Sequence, residues 1–338
     1  MNIHLLVLIE LAADALSRLE RAGFHPHVAS NAADLAALKP SLRNRIRAAL
    51  TNGSTGLSAE HIVALPKLEI ICALGAGYEN VDLAAAEAGG IAVSNGARTN
   101  DACVADHAMA LLMAIARGIA QADAAVRRGE WTRSRQPRPT ISGKRLGLLG
   151  LGNIGMQIAQ RATGGFAMAV AYHTRRPREA TPYLYMPTPV ALAEWCDFLV
   201  IATPGGTTTA HLVDADVLQA LGPDGFLINI ARGSVVDTAA LGDALQHGRI
   251  AGAALDVIEG EPNVPEPIAR LSNVILTPHI AGRSPEAIAA TVQLAIDNLS
   301  AHFHGLPLPT PVLAPPASGA AGASARMRSS KPPVCTSE

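Results

Sequence analysis

Neither sign of charge is in excess in this chain. Lys and Arg together number 27 against 28 Asp and Glu, a formal net charge of −1. That balance provides no basic field for nucleic acid or for an anionic membrane surface. Cysteine is scarce as well: Cys72, Cys103, Cys196 and Cys335 are scattered, with no C-x-x-C pair. Three of them sit in apolar contexts and read as small buried hydrophobes, so neither a metal site nor a disulfide framework is expected. Long apolar runs are missing too. The longest apolar helix candidate, Ala108 to Ala116, is too short to span a bilayer. The N-terminal run Ile3–Ile9 lacks a basic flank and a small-residue cleavage site, and Glu10 and Asp14 follow at once. It reads as a first strand rather than a leader, and the expected compartment is the cytoplasm.

What is present is apolar residue. Hydrophobic types make up 49% of the 338 residues and charged types 16%. This suits a globular chain with a large core, long enough for two domains. Short apolar strands alternate with helical patterns throughout, which implies α/β architecture with mostly parallel sheets. In the first part the strand candidates are Ile3–Ile9, Ala48–Thr51, Glu69–Ala73 and Ala92–Ser94. Helical spacing covers Ala12–Ala22, Ser58–Ala64 and Leu83–Ala88, and then one long bridging helix from Asp101 to Arg127. Trp131 to Pro139 reads as a surface loop, with Trp131 itself taken as structural. A second series of strands follows at Leu146–Leu149, Ala167–Tyr172, Phe198–Ala202, Gly225–Asn229, Gly252–Asp256 and Val274–Leu276. A last amphipathic helix, Pro285 to Phe303, is expected to return to the first domain. The segment 314–338 is rich in Ala, Ser, Pro and Gly without periodicity and is expected to be disordered.

The apolar strand at Leu146 runs into Gly150, Gly152 and Gly155, spaced G-x-G-x-x-G, and then into a helical pattern. Strand, glycine turn and helix in that order is the context a dinucleotide fingerprint needs. The first glycine permits the turn, the second lets backbone approach a pyrophosphate, and the third allows the helix to pack on the strand. Asn153 and Ile154 then open the helix, whose free N–H groups suit an anion. The alternative is a glycine-rich turn that binds nothing. Roughly 20 residues on, where an enzyme for NAD carries an acid for the ribose 2′-hydroxyl, stand His173, Thr174, Arg175 and Arg176. A guanidinium clamps a 2′-phosphate that a carboxylate would repel, which favours NADP. A solvated basic turn is the competing reading.

Three further residues lie just past the ends of successive strands. Arg232, in Asn229-Ile230-Ala231-Arg232-Gly233, offers a fork suited to a carboxylate and the adjacent keto oxygen of a 2-oxo acid. Glu261 precedes a proline, and His279, in Thr277-Pro278-His279, is able to exchange protons near neutral pH. Each alone is as well explained structurally; their joint occurrence at the ligand-binding end of one sheet is far more specific.

Together with Ala73 to Asp82 and Val104-Ala105-Asp106-His107, these motifs resemble, in order and over Met1 to Val312, those of the D-isomer-specific 2-hydroxyacid dehydrogenases. Within that family the chain is most similar to the NADPH-dependent glyoxylate/hydroxypyruvate reductases. The resemblance implies two Rossmann-like domains, a flavodoxin-like substrate domain (1–99 and 286–313) with a dinucleotide-binding domain (100–285) inserted in it. It implies a homodimer, joined mainly through the nucleotide domains. It makes His279 the proton donor, Glu261 its partner that keeps imidazolium populated, and Arg232 the group that binds and polarises the 2-oxo acid. It gives the turn Leu74, Gly75, Ala76 and Gly77 to the substrate carboxylate, Asp256 to the nicotinamide carboxamide, and Thr203-Pro204 to the segment beneath the cofactor. NADP(H) is the expected cofactor, with NAD(H) possible. After His279 the sequence departs from the commonest family form, with Arg283 at the pocket edge. His107 is expected to pack the bridging helix. Other readings are an NAD-linked dehydrogenase of another D-2-hydroxy acid and a nucleotide-sensing corepressor that binds partner peptides; a complete Arg232, Glu261 and His279 set argues against the latter.

The cofactor expectation is open to test. With Arg175→Ala and Arg176→Ala combined, the preference for NADPH over NADH in initial rates should fall by roughly tenfold or more. An unchanged preference means that these arginines do not read the phosphate.

Overall fold

The computed structural model describes residues 2–314. Met1, Cys335 and all but the first residue of the segment expected to be disordered lie outside the described residues. The strands are β1 (Ile3–Val7), β2 (Phe24–Val28), β3 (Ile46–Asn52), β4 (Ile70–Leu74), β5 (Ala92–Asn95), β6 (Arg145–Leu149) and β7 (Ala169–His173). They continue with β8 (Leu184–Tyr185), β9 (Phe198–Ile201), β10 (Phe226–Asn229), β11 (Gly252–Leu255), β12 (Val274–Leu276) and β13 (Pro311–Leu313).

Two sheets result. One has the order β13-β5-β4-β3-β1-β2, the other β12-β11-β10-β9-β6-β7-β8. Every ladder is parallel except β13 against β5. The run β2-β1-β3-β4-β5 is the flavodoxin-like order, and β8-β7-β6-β9-β10-β11 is that of a doubly wound dinucleotide-binding sheet. This is the α/β class expected from the alternating pattern. The chain builds the first sheet through β5, crosses to make the whole of the second, and comes back for β13.

The central strands are short apolar runs because helices cover both of their faces. β9, β10 and β11 are buried at every residue. On one face of the second sheet, Val104, Ala108, Leu112 and Ile115 from the helix Asp101–Arg117 pack with Leu146, Leu148 and Ile158. On the other, Leu149, Leu199 and Ile201 meet Val217, Leu241 and Leu245. The final helix, Pro285–Phe303, sets Val292, Ala295, Ile296 and Leu299 against Leu5, Leu50 and Ile70 of the first sheet.

Two expectations are corrected. The bridging helix is not continuous from Asp101 to Arg127. It breaks at Gly118, whose φ of 59° is left-handed, into Asp101–Arg117 and Ile119–Arg127, bent by 58°. Arg117 then donates to the carbonyls of Arg138 and Pro139, tying the following loop back to the break. Trp131 on that loop is 65% exposed, so it packs no core in this chain. β2, sequence Phe-His-Pro-His-Val, was not foreseen: its proline is tolerated because it lies on the sheet edge, where one N–H row needs no partner. No single helix among the described residues is long and apolar enough to cross a membrane.

Candidate active site

The glycine turn leaves β6 with Gly150 at φ 105°. A Cβ on Gly155 would lie 2.4 Å from the carbonyl oxygen of Gly150, so no larger residue fits where strand and helix meet. Nothing stands within 4 Å of the space a Cβ on Gly152 would fill, and the helix Asn153–Phe166 starts there without a side-chain cap. Its first N–H groups are therefore available to an anion. A cavity of about 520 Å³ opens at this end, and Arg98, Asp101 and Arg178 line it together with Gly152 and Asn153. None of those three charged residues was singled out from the sequence; they reach the turn from the crossing between the sheets and from beyond β7. Burial raises the Asp101 carboxyl above its ordinary range, against the opposing pull of Asn153 and Arg98.

Past β7, His173 is turned toward β8, with Nδ1 2.9 Å from the carbonyl oxygen of Met186 and its ring stacked on Tyr185. Thr174 closes a tight turn by donating to the carbonyl of Arg176 at 2.6 Å. Arg175 and Arg176 are exposed on it. Among the described residues neither guanidinium has an ion-pair partner. Thr203-Pro204 begins the loop after β9, directly beside Gly150: a Cβ on that glycine would be 2.9 Å from the Thr203 nitrogen.

The second cluster forms where β10, β11 and β12 end. Buried Asn229 shapes the turn after β10, accepting from the Ala231 N–H and donating to the Arg232 carbonyl, both at 3.0 Å. Arg232 then reaches across to the first sheet. Its Nη1 donates to the Ala231 carbonyl at 2.6 Å, and its Nε to Glu79. Its Nη2 lies against Gly77, in the space a Cβ there would need. In the turn after β4, the carbonyls of Gly75 and Ala76 are taken by the Gly96 N–H and the Asn95 amide, at 2.7 and 2.8 Å. Among the described residues, no acceptor engages the N–H of Ala76 or Gly77. Leu74 ends the strand below them. Tyr78 packs with the apolar cluster under this sheet.

Asp256 is 2% exposed at the end of β11. Its Oδ1 accepts from the Thr277 hydroxyl at 2.6 Å and the Ile280 N–H at 2.9 Å, and its Oδ2 from the Ala281 N–H at 2.9 Å. His107 extends the network, with Nε2 3.1 Å from the Thr277 hydroxyl and 3.4 Å from Oδ1, so it does more than pack its helix. Burial works against the Asp256 charge, yet His107, Thr277 and the two backbone donors outweigh it and hold the carboxyl at about 2. The residue so framed is His279, whose φ of 54° is left-handed and whose N–H donates to the Asp256 carbonyl at 2.9 Å. A non-glycine residue keeps that conformation only where its surroundings over-determine it. Imidazole Nδ1 lies 2.9 Å from Glu261 Oε2, and Glu261 Oε1 accepts from the Ile258 N–H at 3.0 Å. Burial opposes the charge on Glu261, but His279 and the Ile258 N–H pull its carboxyl below the usual range. Arg232, Glu261, His279 and Glu79 all line one cavity of about 400 Å³. In the sequence, Glu79 stood only as a member of the Ala73 to Asp82 motif, with no role of its own.

Comparison with known proteins identifies the family. Residues 109–281 match the profile of the D-isomer specific 2-hydroxyacid dehydrogenase NAD binding domain. The chain belongs to the D-isomer specific 2-hydroxyacid dehydrogenase family. The matched range holds the glycine turn together with Arg232, Asp256, Glu261 and His279. A glyoxylate/hydroxypyruvate reductase of Arabidopsis thaliana is 43% identical over 272 residues, covering 80% of this chain and 87% of its own. The hydroxyphenylpyruvate reductase of Plectranthus scutellarioides is 43% identical over 269 residues, 79% of this chain and 86% of its own. Among solved structures, the NADPH-dependent glyoxylate/hydroxypyruvate reductase of Sinorhizobium meliloti, in complex with NADP and malonate, superposes with a TM-score of 0.86. It is 41% identical, over 92% of this chain and 97% of its own. For a 2-hydroxyacid dehydrogenase fold, the parallel sheets and the cleft at their carboxyl ends are the expected frame.

Asp256→Asn tests the frame around His279. The native carboxyl sits at about 2 against an ordinary 3.8. Its stabilisation is therefore complete above the unfolded value and is lost as pH falls through the folded one. The substitution should cost about 2 kcal/mol in urea unfolding at pH 7, with the gap to the parent protein closing between pH 4 and pH 2. A gap that stays constant across that window contradicts the assignment.

Proposed function

We propose that this chain reduces a small 2-oxo acid, glyoxylate or hydroxypyruvate, to the D-2-hydroxy acid with NADPH as preferred cofactor and NADH as an accepted one. The observation that carries this reading is the His279–Glu261 pair, 2.9 Å apart, facing Arg232 in a single cleft. An open, uncapped helix end, with no room for a Cβ at Gly150 or Gly155 and open space in front of Gly152, fits a pyrophosphate, so the fold can hold a dinucleotide. Gly150, Gly152, Asn153, Ile154 and Gly155 would hold the pyrophosphate, and Thr174, Arg175 and Arg176 the 2′-phosphate. Thr203-Pro204 would lie beneath the nicotinamide, and the second lone pair of Asp256 Oδ2 would meet its carboxamide. When bound, the cofactor supplies hydride to C2 of the substrate.

The chain's own residues do the rest. The N–H groups of Ala76 and Gly77, at the end of the turn from Leu74 and Gly75, receive the substrate carboxylate. Arg232 holds that carboxylate and the adjacent carbonyl oxygen in one plane and polarises the carbonyl. With Nδ1 committed to Glu261, His279 has Nε2 left for the substrate oxygen, to which it delivers the proton. Glu261 stabilises the charged ring before transfer and fixes its orientation. We assign 1–99 and 286–313 to the substrate domain and 100–285 to the nucleotide domain. The protein works as a cytoplasmic homodimer, for which the exposed Ile119, Val126 and Trp131 of the nucleotide domain provide apolar surface.

Initial rates for a panel of 2-oxo acids, with NADPH and NADH in parallel, test the activity. His279→Ala should lower kcat by about 100-fold to 10,000-fold while leaving the affinity for NADPH nearly unchanged. Turnover at the parent rate would sink the mechanism. Sedimentation should give twice the chain mass of 34.9 kDa; a monomer at micromolar concentration removes the dimer.

A further inference from the structure

Glu79 is a carboxylate that the hydride-transfer mechanism does not use, yet it is bonded to the residue expected to grip the substrate. It follows β4 of the first sheet, while Arg232 follows β10 of the second, 153 positions away. The pair is partly shielded, with side chains 23% and 28% exposed. Glu79 Oε2 lies where a Cβ on Gly53 or Gly77 would be, 2.8 and 2.6 Å from those positions, so the carboxylate is seated in a notch between two stretches of backbone. Burial opposes its charge, but the hydrogen bond and the positive charge of Arg232 hold the carboxyl below its ordinary range. A guanidinium is planar and carries five N–H donors. With Nε on Glu79 and Nη1 on the Ala231 carbonyl, its plane is set, and one N–H of Nη1 and both of Nη2 are left for a substrate anion.

The charge around the substrate is equally constrained. Among the described residues, the cleft lines up Glu79, Glu259 and Glu261 against a single permanent cation, Arg232. Glu261 is engaged by His279, and Glu259 accepts from the Thr238 N–H at 3.1 Å with His211 Nε2 2.7 Å away. Arg232 can satisfy one carboxylate of a substrate. A second anionic group would enter a space with three carboxylates and, among the described residues, no further permanent cation. Hydroxyl groups meet the opposite situation: Glu79, Ser54 and Asn80 line the same cavity and accept hydrogen bonds.

We propose that Glu79 is a positioning residue for Arg232 and a charge filter for the substrate, so that the site takes 2-oxo acids with one anionic group and a neutral or hydroxyl-bearing C3 and refuses those with a second anion. This rests on the reductase reading above. The two functions separate by substitution. Glu79→Gln keeps an acceptor for Nε but removes the charge, whereas Glu79→Ala removes both.

The test compares hydroxypyruvate with 3-phosphohydroxypyruvate, which differ only by the phosphate, with glyoxylate and oxaloacetate as a second pair, all with NADPH and the full chain. The parent protein should favour hydroxypyruvate over its phosphate ester by roughly 100-fold or more in kcat/KM. In Glu79→Gln that ratio should fall by about tenfold or more, through KM for the phosphate ester. In Glu79→Ala, kcat for hydroxypyruvate should drop by about tenfold or more, and the glutamine variant should recover most of it. Parent protein that reduces both partners equally well, or an unchanged ratio in Glu79→Gln, overturns the filter. Parent-like kcat in Glu79→Ala overturns the positioning role. If the parent reduces glyoxylate but these signatures are missing, only this inference fails; if it reduces no 2-oxo acid at all, the reductase reading falls with it.

Discussion

The buried carboxylate of Asp256 is the contact on which the rest of the site depends. It sits at the end of β11 and gathers the Thr277 hydroxyl and the Ile280 and Ala281 N–H groups from the segment that leaves β12. That segment contains His279 in a backbone conformation an L-residue adopts at a cost. Three charge-assisted hydrogen bonds, one before the histidine and two after it, offset that cost and hold its backbone in place. Glu261 then needs only to meet Nδ1, which it does from a loop that its own bond to Ile258 holds in place.

The topology explains why these groups converge. In an open parallel sheet every strand delivers its following loop to the same edge, and ligands collect there. Arg232, Glu261 and His279 come from the ends of β10, β11 and β12, and the glycine turn from the end of β6. The first sheet contributes in the same way, through the Gly75–Glu79 turn after β4. The cleft is thus lined by two sets of carboxyl-terminal loops, and Arg232 with Glu79 spans it. Closing such a cleft around a substrate excludes water and strengthens every charge interaction inside it.

Charge distribution divides the cleft into two ends. Around the helix Asn153–Phe166, free N–H groups and the guanidiniums of Arg98 and Arg178 face a cavity suited to phosphates. At the other end, carboxylates outnumber the one guanidinium. A dinucleotide has its charge on the first side and its reactive ring toward the second, so the two environments match the two ends of the cofactor that the family uses.

Much of this was legible in the amino-acid order. Apolar runs located the central strands, because a strand buried on both faces must be apolar along its whole length. Glycine spacing located the turn, because only glycine leaves room there for the carbonyl of Gly150. Arg232, Glu261 and His279 were readable because each follows a recognisable strand. Elements whose signal is not local were missed. β2 looks irregular until its place on the sheet edge is known, and the break at Gly118 depends on a loop that packs back to Arg117. Arg98 and Arg178 had no motif around them, and Glu79 stood within the Ala73 to Asp82 motif without a role of its own, since its partner Arg232 lies 153 positions away along the chain. The order of residues alone determined which chemistry the chain carries. Tertiary structure alone decided how its charges pair across the cleft, because such pairing depends on distances that only the packing of one sheet against the other brings within hydrogen-bond reach.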